Sequence, residues 1–185
     1  MGFGKAFGFS LLAYIGLSFL FIVITETLSG NLNPLFNDIS SNPLIIFLIF
    51  FGNTVQLPST VFISIYGQIT IGAIDYNLIR SIGYIVTPLV AALVAGRVGE
   101  NKAGSFGGFF LTSVIGSIIL GILAYLSTAL MVYSGFLIID PVFLGYFGIS
   151  VIDPTTTLII LVLAGAVNGI FYGAFSLMFT KTEYY

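Results

Sequence analysis

Gly52-Asn53-Thr54-Val55-Gln56-Leu57-Pro58-Ser59-Thr60 interrupts a charge-free window, residues 39–74, that is otherwise largely apolar. As one helix that window would be about 54 Å long, at roughly 1.5 Å per residue. A hydrocarbon core of about 30 Å takes about 20 helical residues, so the window is too long for one span and too short for two. Its centre is polar, and Pro58 lacks the backbone donor that a continuous helix needs. Two readings follow: one long kinked helix, or a re-entrant pair of short helices that enters and leaves on the same side.

Four further charge-free windows flank it, at 6–25, 81–96, 103–139 and 154–180. Each admits one crossing. The second is short, but Arg80 and Arg97 at its ends can snorkel to the headgroups. The third is too long for one untilted span, and its helix is expected to end near Ser134-Gly135. Basic residues arbitrate between the two readings of 39–74. With a re-entrant segment, Lys5, Arg97, Lys102 and Lys181 share one side and only Arg80 lies opposite; a fifth span would divide the five basic residues nearly evenly. Cytoplasmic loops carry the excess of Lys and Arg, which favours re-entry. The expected fold is therefore an all-α polytopic membrane protein with four transmembrane helices plus a re-entrant or broken helical segment, five transmembrane helices being the alternative. A single membrane domain over residues 1–185 is expected, in the cell membrane and with both termini cytoplasmic.

Composition supports the same class. Of 185 residues 58% are hydrophobic and 6% charged, with a mean hydropathy of +1.14. A soluble domain carries about 25% charged residues, so a soluble globule is excluded. Absence of Cys and His removes disulfides, thiolate or imidazole metal ligands and the usual general base, and no cofactor is expected. A net charge of −2 without a basic cluster argues against nucleic acid as a partner. Ala6 stands where a myristoylation signal needs Ser or Thr. The window 6–25 is long for a signal-peptide core, and no small-x-small cleavage site follows it, so it reads as a retained first span.

Asn33-Pro34, Asn42-Pro43, Asp140-Pro141 and Asp153-Pro154 each place a good N-cap residue before a proline suited to the first helical position. Residues 142–151 then read as a short helix in the outer interface. Rows of small residues at a spacing of four allow close helix packing where lipid supplies no hydrophobic drive. Gly83, Thr87, Ala91 and Ala95 form one row; Gly104, Gly108, Ser113, Ser117 and Gly121 mark the next span, and Gly165, Gly169 and Gly173 form the last row. They serve contacts within the chain or between subunits.

Polar residues inside a membrane point to function. Asn53, Gln56, Ser59 and Thr60 gather around Pro58, with Gln68 and Thr70 beyond, and Asn168 stands at the centre of the last window. Together Asn53, Gln56, Ser59, Thr60 and Asn168 are the candidate binding or pore residues, the alternative being a satisfied internal hydrogen-bond network. Glu26 reads as an outer-interface carboxylate, and Pro88 as a kink. The acids sit singly at span ends and no Lys lies within a span, which argues against an enzyme. Two functions compete: transport or permeation of a neutral small solute or ion, and a non-catalytic accessory subunit of a larger membrane complex. Expected partners are the lipid bilayer and either further copies of the chain or other membrane subunits.

Overall fold

The computed structural model describes residues 2–72, 75–134 (backbone only from 128) and 153–180, which are 90% helical and contain no strand. In chain order these form α1 (Gly2–Ser29), α2 (Leu32–Ser41), α3 (Ile45–Phe51), a 3₁₀ turn (Gly52–Val55), α4 (Pro58–Thr70), α5 (Tyr76–Val98), α6 (Lys102–Ser134) and α7 (Pro154–Phe179). Among the described residues α1, α5, α6 and α7 are long and apolar enough to cross a membrane.

Contacts at the helix ends fix the directions. At the near end, Lys5 of α1 pairs with Glu100, just past α5, at 3.3 Å; the hydrogen bond from Lys5 holds the Glu100 carboxyl below its usual range. Gly104 at the start of α6 lies against Phe3, and Gly96 near the end of α5 lies against the Ser176 carbonyl near the end of α7. So α1 and α6 begin at this end, and α5 and α7 finish there. At the far end Arg80 Nη2, early in α5, meets Glu26 Oε1, late in α1, at 3.1 Å. The segment between α1 and α5 thus leaves from the far end and returns to it. It is re-entrant, and the five-span alternative is not what the chain adopts.

The re-entrant segment turns through local chemistry. Gly30 (φ +77°) and Gly72 (φ +71°) supply left-handed backbone after α1 and α4, where other residues would be strained. The last turn of α3 tightens into the 3₁₀ turn, with the Thr54 hydroxyl donating to the Phe51 carbonyl at 2.7 Å. Leu57 is extended (φ −68°, ψ 136°), as the residue before a proline prefers, and Pro58 opens α4 where its missing N–H costs nothing. The two arms are bent by 91° across this break.

Small-residue rows bring the spanning helices together within the chain. A methyl group added at Gly165 would run into the Ser117 side chain; at Gly169 it would lie 2.8 Å from Phe110, and at Gly173 3.0 Å from Phe106. Ser113 Oγ also donates to the Gly165 carbonyl at 2.8 Å. On α5, Gly83 faces Phe21 of α1, and Ala91 and Ala95 are fully buried. Hydroxyls join the interfaces: Ser10 of α1 and Thr112 of α6 are 2.7 Å apart.

Several local expectations are corrected. Helix α5 runs past both arginines, so Arg80 lies within it; Pro88 stands inside the helix, as the reading of a kinked span expects. Because α2 restarts directly after Gly30, Asn33 and Pro34 fall inside its first turn and Asn31 takes the N-cap position. Asn42 closes a turn ahead of α3, accepting from the Leu44 N–H at 3.1 Å. Asp153 does cap α7, accepting from the Thr156 N–H at 3.0 Å, and these bonds lower its carboxyl below the usual range. Asp140-Pro141 and the expected interfacial helix at 142–151 lie outside the described residues.

Candidate functional site

The 3₁₀ turn sits at mid-bundle depth. Asn53 Nδ2 donates to Ser18 Oγ of α1 at 3.2 Å, and Ser18 lies about 16 Å from the far end of α1 at roughly 1.5 Å per residue. Opposite, Asn168 Nδ2 of α7 donates to the backbone carbonyls of Thr54 (2.6 Å) and Gln56 (3.0 Å). Gly116 of α6 lets the turn approach closely, since a methyl there would lie 2.7 Å from Phe51 and from Thr54. Helices α1, α6 and α7 therefore hold the break from three sides.

The break leaves carbonyls without intrahelical donors, and in a membrane each needs a partner or contact with water. Asn168 supplies both of its N–H groups to that end. Only a side chain with two donors on one nitrogen, and no charge to bury, clasps two neighbouring carbonyls of the turn this way.

Not every candidate residue converges. Asn53, Asn168 and the backbone of Gln56 meet, whereas Ser59 and Thr60 are exposed on the first turn of α4. Once Pro58 starts a helix, the residues just after it turn away from the axis of the bend. Gln68 belongs to a separate cluster at the far end. Its Nε2 donates to Ser64 Oγ (2.9 Å) and Ser81 Oγ (3.2 Å), tying α4 to the start of α5.

Glu26, expected as an outer-interface carboxylate, stands at the far end of α1 and pairs there with Arg80, with side-chain exposures of 6% and 17%. Ser29 Oγ also donates to it at 3.3 Å, and the Arg80 guanidinium lies 5.9 Å from the Tyr76 ring centre. The four-span topology already placed both charges at one end, which was the available signal.

Two buried tyrosines were not among the expected residues, and Thr87 was read only as part of a packing row. Tyr14 of α1, Thr87 of α5 and Tyr172 of α7 are buried, and their hydroxyls have no hydrogen-bond partner; the same holds for the Oδ1 atoms of Asn53 and Asn168. Helical spacing could have flagged the tyrosines, since Tyr14 is one turn from Ser18 and Tyr172 one turn from Asn168. Among the described residues no group of acidic side chains could hold a metal ion. No protein-family model, characterised protein or solved structure matches the chain.

Proposed function

We propose that the chain is a small permeation or transport protein of the cell membrane, handling a neutral small solute or an ion at an uncharged site around the re-entrant turn. The observation that carries this reading is the set of buried oxygens at Asn53, Asn168, Tyr14, Thr87 and Tyr172 that have no protein partner. Buried polar groups are normally satisfied, and unsatisfied ones at membrane depth mark a place for a polar guest. The near end, with Lys5, Arg97 and Lys102, faces the cytoplasm by the positive-inside bias. Purified protein in liposomes should raise the flux of at least one such solute over protein-free vesicles. Silence toward every neutral and ionic probe would end the reading.

A second reading, an accessory subunit or a homo-oligomer, draws on a different face. Gly4, Gly8 and Gly16 of α1 have nothing within 4 Å of an added methyl, so this row is not consumed by packing within the chain. Native mass in nanodiscs separates the two readings: co-purifying foreign polypeptides support the accessory role.

A further inference from the structure

We infer that Tyr14, Thr87 and Tyr172 extend the lining from the Asn53–Asn168 turn toward the near end, and that the guest is a small neutral hydrogen-bond donor, of the class of water, ammonia or a primary amide, rather than an ion. This rests on the permeation reading and narrows its substrate.

Placement gives the lining. Ser18, bonded to Asn53, and Tyr14 lie on one buried face of α1, with Tyr14 a turn nearer the near end. Asn168 and Tyr172 lie on one buried face of α7, with Tyr172 again nearer that end. Tyr14, Tyr172 and Ala91 share one buried cluster, and Thr87 is one turn from Ala91 on α5. Five oxygens with no protein partner thus come from four elements, each on a residue no more than 3% exposed.

Donor and acceptor chemistry selects the guest. The Asn53 and Asn168 Oδ1 atoms only accept, while the three hydroxyls donate or accept. Both amide nitrogens already donate, to Ser18 and to Thr54 and Gln56. An anion would find few donors, and Lys5, Arg80, Arg97 and Lys102 lie near helix ends. For a bare cation the natural ligands would be the carbonyls freed by the break, as in carbonyl-built filters. Asn168 occupies those of Thr54 and Gln56. The one buried carboxylate of a spanning helix, Glu26, is paired with Arg80 at the far end. Burying an uncompensated ion carries a large desolvation penalty, whereas a neutral donor matches the free acceptors without it.

The test uses the whole purified chain in liposomes. Water and urea permeability are read by stopped-flow light scattering, ammonia by an internal pH dye, and K⁺, Na⁺ and Cl⁻ by ion-sensitive dyes. Tyr14→Phe and Tyr172→Phe remove only a hydroxyl, and Thr87→Val is near-isosteric. The expected result is neutral-solute flux above protein-free vesicles, no ion flux, and a several-fold loss of neutral flux in Tyr172→Phe and Thr87→Val with unchanged thermal stability. Ion flux above background, or neutral flux indifferent to all three substitutions, overturns the inference and leaves the permeation reading standing. No flux of any probe overturns the permeation reading itself, and this inference with it.

Discussion

The side-chain amide of Asn168 reaches across 114 residues of chain to the backbone carbonyl of Thr54, at 2.6 Å, and this bond joins the last spanning helix to the tip of the re-entrant turn. With the companion bond to Gln56 it satisfies two carbonyls at once. Asn168→Leu should therefore take the donor from the buried Thr54 carbonyl and break the bond to Gln56. An unsatisfied buried group costs about 1–3 kcal/mol, so a clear fall in thermal unfolding temperature in detergent is expected. Ser59→Ala and Thr60→Ala, at exposed positions, should stay within about 0.5 kcal/mol of wild type. An Asn168→Leu protein as stable as wild type would show that the clasp contributes nothing.

Gly169→Leu should disrupt the contact of α7 with α6, because even a methyl meets Phe110 at 2.8 Å. Overpacking of this kind costs about 1–3 kcal/mol, occasionally more. Leu163→Phe, at a position 59% exposed, should be mild. Yield and monodispersity in detergent compare the two, and equal tolerance would mean that the row does not set the helix spacing.

Glu26→Gln or Arg80→Gln alone breaks this buried pair, which costs about 3–5 kcal/mol. The double variant Glu26→Gln/Arg80→Gln should recover much of that loss. Unfolding midpoints of the three proteins form the cycle; strictly additive losses would contradict a direct coupling.

Cysteine scanning suits a Cys-free chain. Single cysteines at Asn77 and Asn101 should be labelled from opposite sides of the membrane, Asn77 from outside. Labelling of Asn77 only from the cytoplasmic side would be incompatible with re-entry and would restore five spans.

The start of α7 should respond to acid. Asp153 has its carboxyl lowered below the ordinary value of 3.8 by bonds from Thr156. A depressed native pKa gives a contribution present above the unfolded value and lost as pH falls through the native one. Amide exchange at Thr156 and Thr157 should speed up, relative to mid-helix amides, only below about pH 4. Asp153→Asn should keep the cap without that pH dependence.

Residue chemistry along the chain was enough to determine the membrane class, the four apolar helices and the break at Pro58. Each depends on local length, hydropathy or backbone restriction. The same information placed Ser59 and Thr60 beside Asn53, because adjacency in sequence says nothing about which way a helix turns after its first proline. Tertiary structure alone decided which partners face each other. It set Asn168 on the carbonyls of Thr54 and Gln56, paired Glu26 with Arg80, and brought Tyr14 and Tyr172 into one buried cluster. Those pairings follow from how deep the turn enters and how each helix is rotated. Both are set by close packing at Gly116, Gly165 and Gly169, where a single methyl group would collide with Phe51 and Thr54, Ser117, and Phe110.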